Sequence, residues 1–195
     1  LCFQTNEFLM SDDDTAGTKA VYNKWLENKI QWDEDLSGPF VVLIVDKKSC
    51  SVVCVTDLMS FIPVYIYKDP TNIMLATHID ALARVSGQYE KKDIVSQVDF
   101  ILHGVVTFPF TTYTNLKQLG PASVHTFQCR EQQLQSEAYW MPKESIQYTS
   151  IDVAAHDLRN GLQNYISSIT NDMDHIAQFI SGGEDSRLIS ALLPK

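Results

Sequence analysis

Hydrophobic and polar positions change period several times along the chain, and each change marks an element. Ala20, Val21, Trp25 and Leu26 recur at helical spacing after the N-cap candidates Ser11, Asp12, Asp13, Asp14 and Thr15. This predicts an amphipathic helix over about 15–28, with its acid cluster at the positive end of the helix dipole. Phe40–Val45 is a continuous apolar run, the pattern of a strand covered on both faces. Asp46-Lys47-Lys48-Ser49 is turn-like and Ser51–Val55 makes a second strand, so the pair reads as a hairpin. Val64–Tyr67 and Ile73–Thr77 follow as two more strands around Asp69-Pro70-Thr71-Asn72. Four successive strands with short connections predict an antiparallel meander, with a layer packed on each face of the first strand.

Two short helices come next, Ile79–Ala83 and Asp93–His103, the second with Ile94, Val98, Ile101 and Leu102 on one side. Ser123–Cys129 and Leu134–Tyr139 resemble another hairpin around Arg130-Glu131-Gln132. Met141–Ser145 reads as the start of a linker, and beyond it the period changes. Ala154, Leu158, Leu162, Tyr165, Ile166 and Ile169 define a helix over about 152–170. Ile176–Ile180 reads as a short apolar strand running into Ser181-Gly182-Gly183, and 185–193 looks helical. Helix, strand, glycine turn, helix is the opening of a parallel α/β domain. The expected organisation is therefore a first domain over 1–142, a linker over 143–150 and the start of a second domain over 151–195.

The 195 residues carry 15 basic and 24 acidic side chains, a net charge of −9, with 45% hydrophobic residues. That composition excludes wholesale disorder and argues against a nucleic-acid or anionic-membrane surface. No apolar run approaches the ~18 residues of a membrane span. Leu1–Glu7 has neither a basic n-region nor an apolar h-region, so no signal peptide is expected, and the non-Met first residue suggests that the natural start is missing. Cys2, Cys50, Cys54 and Cys129 have neither a CxxC spacing nor a His at ligand spacing. They read as small hydrophobes of a reduced cytoplasm, which places the protein there. The five histidines form no spaced pair and read as structural or surface residues.

Chemistry concentrates in Ile180-Ser181-Gly182-Gly183-Glu184-Asp185-Ser186. Paired glycines let the backbone bend sharply and approach a ligand closely. A following helix would aim its free N–H groups and positive dipole end at the turn, and Ser181 and Ser186 add hydroxyls. The result is an anion site suited to phosphate. Asp185 would repel phosphate unless it holds Mg²⁺ that bridges to the phosphate oxygens. No Lys follows the glycines as in Walker A, and neither GxSxG nor GxGxxG is present. The alternative is a plain glycine turn with Asp185 as a helix-start acid.

The Ser-Gly-Gly-x-Asp-Ser loop resembles the pyrophosphate loop of N-type ATP pyrophosphatases, which cleave ATP to AMP and pyrophosphate to adenylate a substrate. Upstream, Leu36-Ser37-Gly38-Pro39-Phe40 with Asp46 resembles the L-x-G-x-F-A-x-x-I-x-D stretch of class II glutamine amidotransferase domains. Asp57–Tyr65 resembles R-D-x-x-G-x-x-P-L-Y, and Leu75–Leu82 resembles F-A-S-E-x-K-A-L. Thr112 to Pro121 resembles T-x-F-x-x-I-x-x-L-x-P-G. Their order, with the loop behind them, resembles glutamine-dependent asparagine synthetases, here divergent and shortened at both ends. The resemblance implies α+β passing into α/β. A partial Ntn-hydrolase-like α/β/β/α sandwich would precede the first strand-loop-helix of an adenine nucleotide α-hydrolase-like domain. It implies ATP and Mg²⁺, with Ser181, Gly182, Gly183, Asp185 and Ser186 on the pyrophosphate, Asp185 on the metal and Phe179 bordering the adenine. The partners implied are glutamine or ammonia and a carboxylate acceptor, with a homodimer left open.

Departures are equally specific. The family's nucleophile is an N-terminal Cys followed by Gly; Cys2 lies between Leu1 and Phe3, and no catalytic residue is assigned. By the resemblance, one acid among Asp12, Asp13 and Asp14 corresponds to the family's glutamine-amine ligand; Asp12, following Ser11, is the best candidate, and a helix cap explains it about equally well. Thr56 stands where the family has Arg, Ser60 where it has Gly, and Thr77-His78 replaces Ser-Glu. Arg187 departs from the Ser common in true asparagine synthetases. The expectation is an ATP-dependent amide-forming ligase, inactive as this chain alone. Its rivals are a β-lactam or macrolactam synthetase relative and a non-catalytic binding domain with a vestigial loop.

Overall fold

The computed structural model describes residues 16–36, 38–144 and 148–193. The chain divides into two compact units, Leu1–Pro142 and Lys143–Lys195.

In the first unit, helix α1 (Ala16–Leu26) precedes β1 (Val41–Asp46) and β2 (Ser51–Thr56). Then come β3 (Tyr65–Lys68), β4 (Ile73–Ala76), α2 (Ile79–Val85), α3 (Ile94–His103), β5 (Leu116–Gln118), β6 (Ser123–Gln128) and β7 (Gln133–Ala138). Two antiparallel sheets form, one in the order β1-β2-β6-β7 and one in the order β4-β3-β5. Strand alternation sends successive side chains to opposite faces, which sets three cores. Val53 and Val55 of β2 pack outward with Val21, Trp32, Leu36 and Phe40. Cys54 and Phe127 pack inward against Val64, Ile66 and Leu119, filling the space between the sheets. Tyr65 and Tyr67, on the other face of β3, pack with Leu82 and Ala83 of α2 and with Tyr113 and Leu116. The layers thus run helix, sheet, sheet, helix.

The expected four-strand meander is two hairpins in different sheets. Pairing stops between β2 and β3, and β2 takes β6 as its second neighbour. Asp57 explains the break. Its side chain is buried and accepts hydrogen bonds from the backbone N–H groups of Met59 (3.0 Å), Phe61 (2.9 Å) and Ile62 (3.2 Å). Those amides are held in a turn that carries the chain from one sheet to the other. The covered first strand is also corrected. Among the described residues β1 is an edge strand, with Leu43 and Val45 more than half exposed. A layer does pack on each face of its sheet, but it covers β2 and β6 better than the edge. The sequence reading did not anticipate β5, which is only three residues long.

Helix α3 is well terminated, with Asp93 accepting from the Val95 N–H (3.1 Å) and Gly104 in the left-handed region. Its apolar residues Ile94, Val95, Val98, Ile101 and Leu102 nevertheless face outward, and Ser96 is its buried residue.

The second unit holds α4 (Ile151–Thr170), whose N-cap Ser150 accepts from Val153, and α5 (Glu184–Leu192). Gln163 Nε2 donates to the Leu192 carbonyl (3.2 Å) and ties the helices together. The strand expected over 176–180 is irregular chain. A strand needs a neighbour for its ladder, and the described residues of this unit offer no second extended segment.

Ser60, which stands where the quoted pattern has glycine, has φ +50°. The Ser60 hydroxyl is also buried without a hydrogen-bond partner. Replacing it with glycine removes a left-handed backbone penalty and an unpaired polar group, against the larger unfolded-state entropy of glycine. Ser60→Gly should therefore raise stability by about 1 kcal/mol, read from the urea midpoint at unchanged slope. A lower midpoint would contradict this account of the turn.

Candidate functional site

The residues Ser181 to Ser186 form one exposed turn leading into α5. Gly182 has φ +85°, a conformation open to glycine and strained for other residues. Gly183 occupies the N-cap position, with no side chain capping the helix. Its own N–H donates weakly to Ser181 Oγ (3.4 Å). Ser186 Oγ donates to the Gly183 carbonyl (3.1 Å), so at the 3.2 Å contact between the two hydroxyls Ser181 is the donor. Gln178 Nε2 donates to the Ser186 carbonyl (2.8 Å) and fixes the approach to the turn. The amides of the first helical turn have no intrahelical acceptor.

The structure thus brings Ser181, Gly182, Gly183 and Ser186 together, with Asp185 beside them in the first turn of α5. Phe179 is not part of the cluster: its side chain is fully exposed. Asp12 lies outside the described residues. Among the described residues no three His, Cys, Asp or Glu side chains converge as a metal cage. A Mg²⁺ held by Asp185 would take its other ligands from phosphate oxygens and water, as Mg²⁺ commonly does.

The first unit supplies a polar cluster that sequence reasoning set aside. Thr56 Oγ1 donates to the Gly120 carbonyl (2.6 Å), and His125 Nε2 lies 3.2 Å from the same oxygen. A carbonyl only accepts, so Nε2 carries the proton. His125 is 2% exposed, and burial holds its imidazole below the ordinary value of 6.5, partly opposed by the Gly120 carbonyl. In the neutral ring Nδ1 is then an acceptor, and Ser136 Oγ donates to it at 2.8 Å. The signal in the sequence was the alternation of Ser123, His125 and Phe127, which puts an imidazole on the inner face beside Phe127. Cys54, directly opposite His125 in the sheet, is 1% exposed, and burial pushes its thiol up to about 11. It is protonated at neutral pH and serves as a small hydrophobe.

The buried imidazole predicts a pH dependence. Its folded pKa lies below the unfolded value, so its contribution is intact above pH 6.5 and is lost as pH falls from there through the folded pKa. Stability should decline below that point with a slope of up to about 1.4 kcal/mol per pH unit. His125→Gln should flatten the slope in urea titrations; an unchanged slope would contradict the assignment.

A family model described as a glutamine amidotransferase domain matches residues 3–140. No curated protein matches the chain. The matched stretch falls within the first unit, and the Ser181–Ser186 turn lies beyond it.

Proposed function

Because the chain belongs to the glutamine amidotransferase domain family, we propose that it is part of an ATP-dependent amide-forming ligase resembling asparagine synthetase. Its first unit would handle glutamine as the nitrogen source. Its second unit would open the part that adenylates a carboxylate. The observation that carries this reading is the Ser181–Ser186 turn, where a left-handed glycine, an uncapped helix start and two hydroxyls meet in one exposed turn. Two features support reading the first unit as an Ntn-hydrolase-like sandwich. One is its helix-sheet-sheet-helix order. The other is the glycine-like backbone at Ser60, where the amidotransferase pattern has glycine.

In this reading a carboxylate oxygen of the acceptor displaces pyrophosphate from the α-phosphorus of ATP, and ammonia then displaces AMP. The turn acts on the departing pyrophosphate. Backbone N–H groups at Gly183 and along the first turn of α5 donate to its oxygens, and the helix dipole favours its charge. Ser181 can rotate its hydroxyl from Ser186 onto the ligand. Asp185 would hold Mg²⁺, which when bound neutralises charge accumulating on the leaving group. Fixed donors aimed at developing charge are the catalytic contribution asked of this loop. No residue is assigned as the glutaminase nucleophile, and the acceptor and a cytoplasmic location remain part of the proposal.

The test is Asp185→Ala in the natural gene product. ATP–pyrophosphate exchange should fall by about 100-fold or more, the scale of losing one electrostatic group from such a site. Glutamine hydrolysis, measured separately, should be unchanged. Exchange retained at the parent rate would overturn the assignment.

A further inference from the structure

The two sheets of the first unit part at the side where β5 and β7 form their edges, leaving a cavity of about 610 Å³. Inner faces of paired sheets are normally filled by apolar side chains. Here the inner face of the smaller sheet presents cations. Lys117 stands opposite Ile66, which is buried between the sheets, and Lys68 follows Ile66 two residues along the same face. Across the gap, the larger sheet presents His125 and Ser136, with Leu134 beside them. In a chain of net charge −9, no Asp or Glu stands among the described residues lining this cavity.

The proton donors narrow the occupant. Ser136 spends its hydroxyl proton on His125 Nδ1, and Ser123 spends its own on the Pro121 carbonyl (2.6 Å). Lys68 donates to the Gln132 carbonyl and keeps two further protons, and Lys117 Nζ lies 4.0 Å above the Phe110 ring. The ammonium groups are therefore the charged donors at the mouth, above an apolar floor that includes Leu119 and Leu134. The volume is that of a small-molecule site. We propose that this cavity binds a small amphipathic organic anion, its head group on Lys68 and Lys117 and its apolar part on Leu119 and Leu134. This site is separate from the Ser181–Ser186 turn and does not rest on the ligase reading.

The experiment titrates the full chain with hexanoate and, separately, hexyl phosphate, with hexylammonium as the control, and follows backbone amide shifts by NMR. Expected are saturable shifts on β3 and β5–β7 with at least one anion, in the millimolar range for so small a ligand, and none with hexylammonium. The better anion identifies the head group as carboxylate or phosphate. Lys68→Gln with Lys117→Gln should weaken binding by about tenfold or more, with the His125 ring resonances unmoved as the check on the fold. Three results would overturn the proposal: no saturable shift with either anion, equal binding of hexylammonium, or unchanged affinity in the double variant. Self-association of the double variant without loss of an anion site would instead assign the lysines to protecting two strand edges. If the double variant does not fold, the hexylammonium comparison and the salt dependence of anion binding to the parent chain decide the matter. Binding that does not weaken with salt would then overturn it.

Discussion

Asp57 is the group on which the layered arrangement of the first unit depends. One buried carboxyl group holds three amides, those of Met59, Phe61 and Ile62, in the connection between β2 and β3. Its backbone carbonyl also accepts from Ser60 and from Ala122, at the entrance to β6. The same residue therefore ends one hairpin, starts the crossing to the second sheet and anchors the strand that replaces β3 beside β2. Thr56 extends the junction by bonding Gly120 and Ser123, and Tyr139 closes it by donating to the Thr56 carbonyl (2.8 Å). A buried carboxylate left without donors would be costly, so the turn and the charge specify one another.

Local patterning made the elements legible, and long-range pairing made their arrangement illegible. The apolar runs at β1 and β2 and the periodic stripe of α4 all form where the residue spacing places them. Strand partners were another matter. Nothing in Ser51–Val55 says that its second neighbour lies about seventy residues away rather than next in sequence. The same gap hid the inward imidazole, since His125 gains meaning only opposite Ser136 and beneath Gly120. The segment 176–180 fails for the complementary reason: its β pattern is real, but a strand is a property of a pair.

For the candidate site, sequence and structure speak to different things. The residue types of the Ser181–Ser186 turn could be read directly, and its backbone takes the conformation that those glycines permit. What could not be read was the ring of Phe179, which stands clear of the turn in solvent. The family relationship of the first unit rests on 3–140, whereas the nucleotide reading rests on the short turn outside that stretch. The two halves of the functional account thus have independent foundations. Amidotransferase membership would survive the failure of the ligase proposal.

The central claim of that proposal is that nucleotide cleavage occurs between the α- and β-phosphates. The most direct measurement is ³¹P NMR of the natural gene product incubated with MgATP, glutamine and a mixture of free carboxylic acids. The account predicts AMP and pyrophosphate appearing together in equal amounts. ADP and inorganic phosphate as the products would contradict it.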